Sequence, residues 1–199
     1  FITIHGTPGE DGKLQGYFDM LNIPYTTSNA FTSAITFNKI ATKRYLQQIG
    51  VQTAPSVFLR KNQQYSVSDI IGTLGLPLFV KPNAGGSSFG VSKVKSPDEL
   101  QPAIDKAFEE DSEILIESFI DGTEVTCGLI KTLDGSFIFP ATEIVSKNEF
   151  FDYEAKYTPG LTDEIVPAPV AEEVALECRR LSAFLYERLN CKGIIRVDY

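Results

Sequence analysis

The sequence predicts a mixed α and β fold, and three features carry this expectation. Short runs of apolar and β-branched residues, typical of strands, are interspersed with longer segments whose apolar residues recur at helical spacing. Asp134-Gly135 between two of the short runs is a strong signal for a tight hairpin, which joins antiparallel strands. Ser96 followed by Pro97 and Glu99 combines an N-cap, a proline at the first helical position and a capping-box glutamate. The chain therefore contains helices together with antiparallel strands.

The individual elements follow from the same patterns in chain order. Strands are predicted at residues 1–4, 78–81, 90–94, 113–119, 124–133, 136–139 and 194–199. Helices are predicted at residues 14–21, 33–49, 97–108 and 169–189. Pro102 should kink or weaken the third helix, because it lacks a backbone N–H. Residues 148–162 are aromatic and charged without a clear period, and the segment is long enough for a functional lid.

Composition narrows the class of partner. The 199 residues include 26 acidic and 18 basic side chains, and the formal net charge is −8. This leaves no basic surplus for a nucleic-acid backbone or an anionic membrane. His5 is the only histidine, which excludes the usual histidine-rich zinc site. A bound metal would depend on carboxylates and phosphate co-ligands, which points to Mg2+ or Mn2+.

The sequence shows no sign of membrane insertion or export. No run approaches 18 apolar residues, and no basic segment followed by an apolar stretch opens the chain. The three cysteines form no CxxC pair, and we interpret them as reduced, buried thiols. These features predict a cytoplasmic protein. Because the chain opens and closes inside predicted strands without an initiator methionine, we expect it to be a piece of a longer protein.

The stretch KPNAGGSSFGV at residues 81–91 is the strongest candidate for a binding site. Its glycines and hydroxyls lie between two predicted strands, so backbone N–H groups can approach an anion without obstruction by Cβ atoms. It is neither a P-loop nor a dinucleotide-binding fingerprint, because both of those open a helix. Taken alone, the loop fits an ordinary flexible hairpin. Lys81 at the end of the preceding strand favours a phosphate site.

Carboxylates and a histidine near strand ends form a second group of candidates. Glu117 ends a predicted strand and Glu124 follows a tight turn, so together they could receive the donors of a base and a ribose. Each is also typical of a solvated edge charge. His5 follows the first predicted strand, where ligands dock in α/β units. A purely structural role is the alternative for His5.

Two further pairs could act on a reacting group. Arg196 and Asp198 lie two apart in a predicted strand, so both side chains share one face. They could stabilise developing negative charge and hold Mg2+, or form a simple ion pair. Lys156 and Tyr157 lie in the predicted lid, where they could close over a phosphate and exclude water. Surface positions without a function are the alternative for these two.

Several segments, taken together and in order, resemble the D-alanine-D-alanine ligases of the ATP-grasp superfamily, and the resemblance runs almost from end to end. The segments are HG at residues 5–6, GEDG at 9–12, LQG at 14–16, NK at 38–39, KP at 81–82, GSSFG at 86–90, Glu117, Glu124, YEAKY at 153–157 and RVD at 196–198. The resemblance implies an ATP-grasp α/β (α+β) fold, with mixed or antiparallel sheets and flanking helices. Residues 1–38 would end a Rossmann-like N-terminal domain, 39–123 would form the central subdomain, and 124–199 would begin the C-terminal catalytic subdomain.

The resemblance also implies an activity. It is that of a bacterial, ADP-forming ligase that joins two D-alanines for peptidoglycan precursors. ATP phosphorylates the carboxylate of one D-alanine, and the amine of a second attacks the acyl phosphate and releases phosphate. A phosphate loop, an arginine for the developing oxyanion and a water-excluding lid suit this chemistry. The expected partners are ATP and D-alanine, without nucleic acid or membrane, and the expected assembly is a homodimer.

Roles for individual residues are implied by the same resemblance. Those implied for ATP are Lys39, Lys81, Ser88 and Lys156 at the phosphates and Glu117 and Glu124 at the adenosine. Those implied near the first D-alanine are Ser87, Tyr157 and His5. Arg196 would stabilise the acyl phosphate and the tetrahedral intermediate, and Asp198 would be one Mg2+ ligand. Relatives that make D-alanyl-D-lactate generally lack the lid Lys-Tyr arrangement, so Tyr157 favours the dipeptide product.

Two departures from the family pattern bear on these expectations. Residues 83–85 read Asn-Ala-Gly where many members carry a charged residue. A substrate-orienting glutamate and the remaining metal ligands would lie before Phe1 and after Tyr199, so we expect this chain alone to bind ATP weakly and not to turn over. The alternatives are another ATP-grasp carboxylate–amine ligase and a non-catalytic nucleotide-binding module.

Overall fold

The structure, a computed structural model, describes residues 1–147, 158 and 160–199. Two compact units are present: one comprises Phe1–Ala34 with Gly122–Tyr199, and the other comprises Ile35–Asp121. We refer to them as the outer-segment unit and the central unit. The division into subdomains at residues 38/39 and 123/124 stays a prediction.

Six helices and nine strands occur in the described part of the chain. The helices are α1 (Lys13–Met20), α2 (Ala30–Phe37), α3 (Lys39–Gln48), α4 (Val67–Leu74), α5 (Pro97–Glu110) and α6 (Glu172–Arg188). The strands are β1 (Ser56–Arg60), β2 (Leu78–Pro82), β3 (Ser92–Val94), β4 (Glu113–Ser118), β5 (Val125–Thr132), β6 (Gly135–Ile138), β7 (Thr142–Ser146), β8 (Thr162–Ile165) and β9 (Ile194–Asp198). The predicted mixture of helices with antiparallel strands is confirmed.

The central unit contains a four-stranded antiparallel sheet in the order β1-β4-β2-β3. One face of this sheet is apolar, and its fully buried residues include Leu78, Val80 and Ile116, which pack with residues of α4 and α5. Because side chains alternate along a strand, the opposite face carries the intervening residues. Lys81 and Glu117 lie on that opposite face, so the sheet combines a core side with a charged side.

The outer-segment unit contains the second sheet, in which β5 pairs with β6, β7 and β9, and β8 pairs with β7. Val125 and Leu129 of β5 belong to two apolar clusters that also include Cys178 and Tyr186 of α6. Thr126 lies between Val125 and Cys127, so alternation places it on the face opposite α6. Arg196 and Asp198 of β9 share the Thr126 face, since Thr126 pairs directly with Asp198.

Two predicted elements differ from the structure. Residues 1–4 form no strand, because no strand in the described part of the chain pairs with them to complete their backbone hydrogen bonds. The single helix expected at 33–49 is two helices, α2 and α3. They are separated at Asn38, whose extended backbone bridges to Ala84 and whose side chain accepts the N–H of Ala41 as an N-cap.

Smaller differences concern α5 and the hairpin. Helix α5 runs without a break through Pro102, which lies on its exposed side, where water can satisfy the carbonyl left without a partner. The hairpin between β5 and β6 is confirmed one residue earlier than predicted, because Thr132 pairs with Gly135 across a two-residue loop. Four elements were not predicted, namely β1, α4, β7 and β8.

The cysteine prediction is confirmed, since Cys127, Cys178 and Cys191 are free and buried. No helix in the described part of the chain is long and apolar enough to cross a membrane.

Candidate functional site

Helix α3 presents two lysines on one face of the central unit. Lys39 is the first residue of the helix, and Lys43 follows one turn later, so their side chains project from the same side. The start of α3 is held from two directions. Asn38 accepts the N–H of Ala41 at 2.8 Å, and the side-chain oxygen of Asn83 accepts the N–H of Ile40 at 2.9 Å. These bonds fix where the lysine-bearing face begins.

Glu117 on β4 lies between two lysines. Its Oε1 accepts from Lys43 Nζ at 2.6 Å, and its Oε2 accepts from Lys81 Nζ at 2.5 Å. Only 13% of the Glu117 side chain is exposed, against 11% for Lys43 and 29% for Lys81. Burial by itself would raise the pKa of Glu117, but the charges and hydrogen bonds of Lys81 and Lys43 outweigh it and hold the pKa below its ordinary value. Glu117 is therefore a carboxylate that stays ionised inside the unit.

The loop at residues 83–91 joins β2 to β3 and is anchored at its start by Asn83. Asn83 is only 2% exposed. Its side-chain amide donates to Glu113 Oε2 at 3.0 Å, and its carbonyl accepts from the backbone N–H of Lys39 at 3.2 Å. Lys39 Nζ also donates to the carbonyl of Gly85 at 2.8 Å. The base of the loop is thus tied to both α3 and β4.

The tip of this loop has an unusual backbone. Ser87 and Ser88 adopt left-handed conformations, with φ of 55° and 60°, which residues with a Cβ rarely adopt. Gly90 has a φ of 67°, and a Cβ there would lie 2.8 Å from Cγ of Pro82. Backbone strain of this kind clusters at ligand clamps. The loop therefore has a turn geometry with defined left-handed positions, and the choice between a phosphate site and a flexible hairpin stays a prediction.

Together these residues form a candidate site for an anion. The two lysines on Glu117 exceed its charge by one, and Lys39 adds an ammonium group at the base of the loop. The loop supplies glycines and serines where backbone N–H groups can face a ligand. Lys39, Lys81, Glu117, Ser87 and Ser88, all predicted site residues, thus lie in one unit. Their contact with a ligand stays a prediction.

Arg196 and Asp198 of the outer-segment unit form the ion pair that the sequence left as one alternative. Arg196 Nε donates to Asp198 Oδ1 at 2.9 Å, and both side chains are more than half exposed. An exposed pair of this kind contributes little to stability. The ion pair is therefore compatible with a catalytic role for Arg196 and with a purely structural one.

The residues around Asp198 determine whether this place suits Mg2+, which prefers oxygen ligands. Thr126 lies directly opposite Asp198 in the strand register. Its hydroxyl is buried and has no hydrogen-bond partner among the residues that the structure describes. In the same part of the chain no three His, Cys, Asp or Glu side chains gather around one point. Asp198 can thus supply one carboxylate ligand to Mg2+, and the Thr126 hydroxyl is its polar neighbour.

His5 and Glu124 are placed less specifically. His5 Nδ1 lies 3.7 Å from Glu10 Oε1, and 81% of the His5 side chain is exposed. Glu10 Oε2 accepts the backbone N–H of Gly6 at 2.7 Å, which closes the turn after His5. Glu124 is exposed just before β5. Lys156 and Tyr157, and most of the predicted lid, lie outside the described residues.

The sequence of residues 45–199 matches the family model described as D-ala D-ala ligase C-terminus. The chain belongs to the D-Ala-D-Ala ligase family. A curated family member, the D-alanine–D-alanine ligase of Phocaeicola vulgatus, is 54% identical over 199 residues, which cover 100% of this chain and 61% of that protein. The chain thus spans about three fifths of the length of the curated relatives it matches.

Solved structures of D-Ala ligases share the fold. The VanG D-Ala:D-Ser ligase from Enterococcus faecalis superimposes with a TM-score of 0.86 at 35% identity, over 98% of this chain and 57% of that one. The D-alanine–D-alanine ligase from Bacillus anthracis complexed with ATP gives a TM-score of 0.81 at 34% identity, over 98% of this chain and 60% of that one. The predicted ATP-grasp fold is confirmed by this family membership and likeness.

Two residues of the candidate site in the central unit, Lys43 and Asn83, and one near Asp198 in the outer-segment unit, Thr126, were not predicted from the sequence. Lys43 carried a signal, because it lies four residues after Lys39 on the same predicted helix. Asn83 lies two residues after a predicted strand, but its burial depends on α3 and β4, which are distant in sequence. Thr126 could be found only with the register of β5 and β9, which local patterns do not determine.

Proposed function

We propose that this chain carries the ATP-binding and part of the catalytic machinery of an ADP-forming D-alanine–D-alanine ligase. The observation that carries the proposal is the strained Gly-Ser loop flanked by Lys39 and Lys81, in a chain of the D-Ala-D-Ala ligase family. The structure of the Bacillus anthracis relative in complex with ATP supports the choice of nucleotide.

At the phosphate end, each group has a task that its chemistry suits. Lys39 and Lys81 supply positive charge, and the backbone around Ser88 supplies N–H donors to phosphate oxygens. Lys156 adds a further charge from the predicted lid. Glu117 and Glu124 serve the adenosine side, where carboxylates and neighbouring carbonyls accept hydrogen bonds.

At the reacting end, the first D-alanine lies near Ser87, Tyr157 and His5. Its carboxylate oxygen attacks the terminal phosphorus of ATP and ADP leaves, which forms an acyl phosphate. The amine of the second D-alanine attacks the carbonyl carbon, loses a proton and expels inorganic phosphate. Arg196 stabilises the negative charge that develops in both steps.

Asp198 would hold Mg2+ or Mn2+, which would neutralise phosphate charge there. Within this chain Asp198 supplies the carboxylate, which strand alternation places on the Thr126 face of the sheet beside Arg196. We expect the complete protein to work in the cytoplasm as a homodimer, which sedimentation of the gene product would test.

The experiment is an assay of the complete gene product with ATP, Mg2+ and D-alanine. Phosphate release and the mass of the product are measured together. D-alanine-dependent phosphate release with formation of the dipeptide is expected. ATP binding without turnover would instead favour a non-catalytic nucleotide-binding module.

The same assay addresses a second candidate, a ligase with another second substrate. The likeness to the VanG D-Ala:D-Ser ligase favours testing D-serine in particular. Equal or faster release of phosphate with D-alanine plus D-serine, with the mixed dipeptide as product, would assign this second function.

A further inference from the structure

Lys43 is the deeper of the two lysines on Glu117. Its Nζ donates both to Glu117 Oε1 at 2.6 Å and to the carbonyl of Ala54 at 2.7 Å. Only 11% of its side chain is exposed, whereas 29% of the Lys81 side chain is exposed. Lys43 is therefore anchored on two sides. Lys81 donates to one carboxylate oxygen of Glu117 and lies near the end of β2, next to the Gly-Ser loop.

This arrangement has a consequence for ligand binding. A buried carboxylate that loses its only cationic partner is strongly destabilised. If Lys81 were the sole partner of Glu117, it could turn to a phosphate only by leaving that carboxylate without compensation. With Lys43 in place, Glu117 keeps one hydrogen-bonded positive charge even when Lys81 turns to a phosphate.

We propose that Lys43 is a positioning residue for nucleotide binding: it holds and neutralises Glu117 so that Lys81 can be shared with the phosphates of ATP. This rests on the proposed function, because it takes ATP as the anion at the loop. Lys43 itself does not touch the nucleotide. Its positive charge acts through Glu117 and Lys81.

The test measures the Kd for ATP, without D-alanine, in the complete gene product. Lys43→Met removes the charge and keeps an unbranched side chain, so Lys81 becomes the only cation on Glu117. Because a charge-assisted hydrogen bond changes an equilibrium roughly 10- to 100-fold, the Kd for ATP should rise about 10-fold or more. Arg44→Met removes an exposed charge from the next residue of α3, and its Kd should stay within about twofold of the wild-type value.

A second background separates charge compensation from a purely structural role. Glu117→Gln makes the partner neutral, so it needs no compensation. In that background, adding Lys43→Met should change the Kd by less than about threefold, as a coupled pair in a double-mutant cycle should. The double variant also balances the charge, so it gives a result even if Lys43→Met alone fails to fold.

The outcomes are distinct. A Kd for Lys43→Met within twofold of wild type, or the same penalty in the Glu and Gln backgrounds, overturns the role of Lys43 while leaving the proposed function intact. A wild-type gene product that does not bind ATP overturns the proposed function and this inference with it. A large penalty confined to the Glu117 background supports the inference.

Discussion

Asn83 and Ile40 are joined by a buried hydrogen bond, in which the side-chain oxygen of Asn83 accepts the Ile40 N–H at 2.9 Å. The two residues are 43 positions apart in the chain. The bond fastens the first turn of α3 to the end of β2, which are the two elements that carry Lys39 and Lys81. The spacing of these lysines across the candidate phosphate site therefore depends on an uncharged side chain.

Asn83→Ala should destabilise the protein and weaken ATP binding together. The change leaves the buried Ile40 N–H without its acceptor and removes the amide partner of the partly exposed Glu113, which should cost about 1–3 kcal/mol of unfolding free energy. Gln52→Ala, which removes an exposed amide, is the control and should lie within about 0.5 kcal/mol of wild type. Denaturant unfolding measures the stability of the two variants, and the Kd for ATP measures binding in the complete gene product. Equal stability of the two variants would contradict the anchoring role of Asn83.

In the complete gene product, Arg196→Met should impair turnover without affecting the fold. Its ion pair with Asp198 is exposed, so the unfolding temperature should hardly change. Loss of the group that stabilises the developing charge should lower kcat roughly 10²- to 10³-fold. Arg180→Met removes an equally exposed arginine, paired with Glu177 at 2.6 Å, and should leave kcat unchanged. Similar kcat values for both variants would argue against a catalytic role for Arg196.

Thr126→Val should stabilise the protein in the absence of ligands. The Thr126 hydroxyl is buried without a partner among the described residues, so an apolar group of the same shape should gain about 1 kcal/mol. Ser182→Ala is the contrasting variant, because the Ser182 hydroxyl donates to the carbonyl of Cys178 at 2.8 Å and contacts Tyr199 Oη at 2.7 Å. It should lose about 1 kcal/mol or more. Unfolding midpoints that fall by similar amounts in both variants would mean that Thr126 has a partner.

Acid should remove the stability that Glu117 contributes. Its native pKa lies below the ordinary value of 4.5, so the ionised form stabilises the native state above that pH. The contribution is lost as the pH falls below about 4.5 and through the lowered native pKa. The difference in unfolding free energy between wild type and Glu117→Gln should therefore shrink as the pH is lowered from 7 to 3.

Glu164→Gln, which neutralises an exposed carboxylate on β8, controls for the loss of one negative charge in this comparison. A gap between wild type and Glu117→Gln that stays constant over the whole pH range would contradict the lowered pKa of Glu117.

Many elements could be predicted because their signals are local. Helix α5 is marked by Ser96 and Pro97 at its start, and the carboxylate of Glu99 accepts the N–H of Lys95, the residue before the N-cap, at 2.7 Å. The break between α2 and α3 was missed, because the bridge from Asn38 to Ala84 is a long-range contact. The strand predicted at residues 1–4 was wrong for a related reason. A β-branched composition favours a strand, but the pairing partner has to come from elsewhere in the chain.

The sequence by itself determined the mixed fold, the family and the residue types of the candidate site, because motif spacing, capping signals and apolar periodicity are properties of neighbouring residues. Only the tertiary structure decided which of those residues contact one another. It placed Lys43 and Lys81 on the two oxygens of Glu117, buried Asn83 between α3 and β4, and set Thr126 opposite Asp198. These relationships depend on strand register and on packing between distant segments, which hydrophobic burial of whole elements selects and no local pattern encodes.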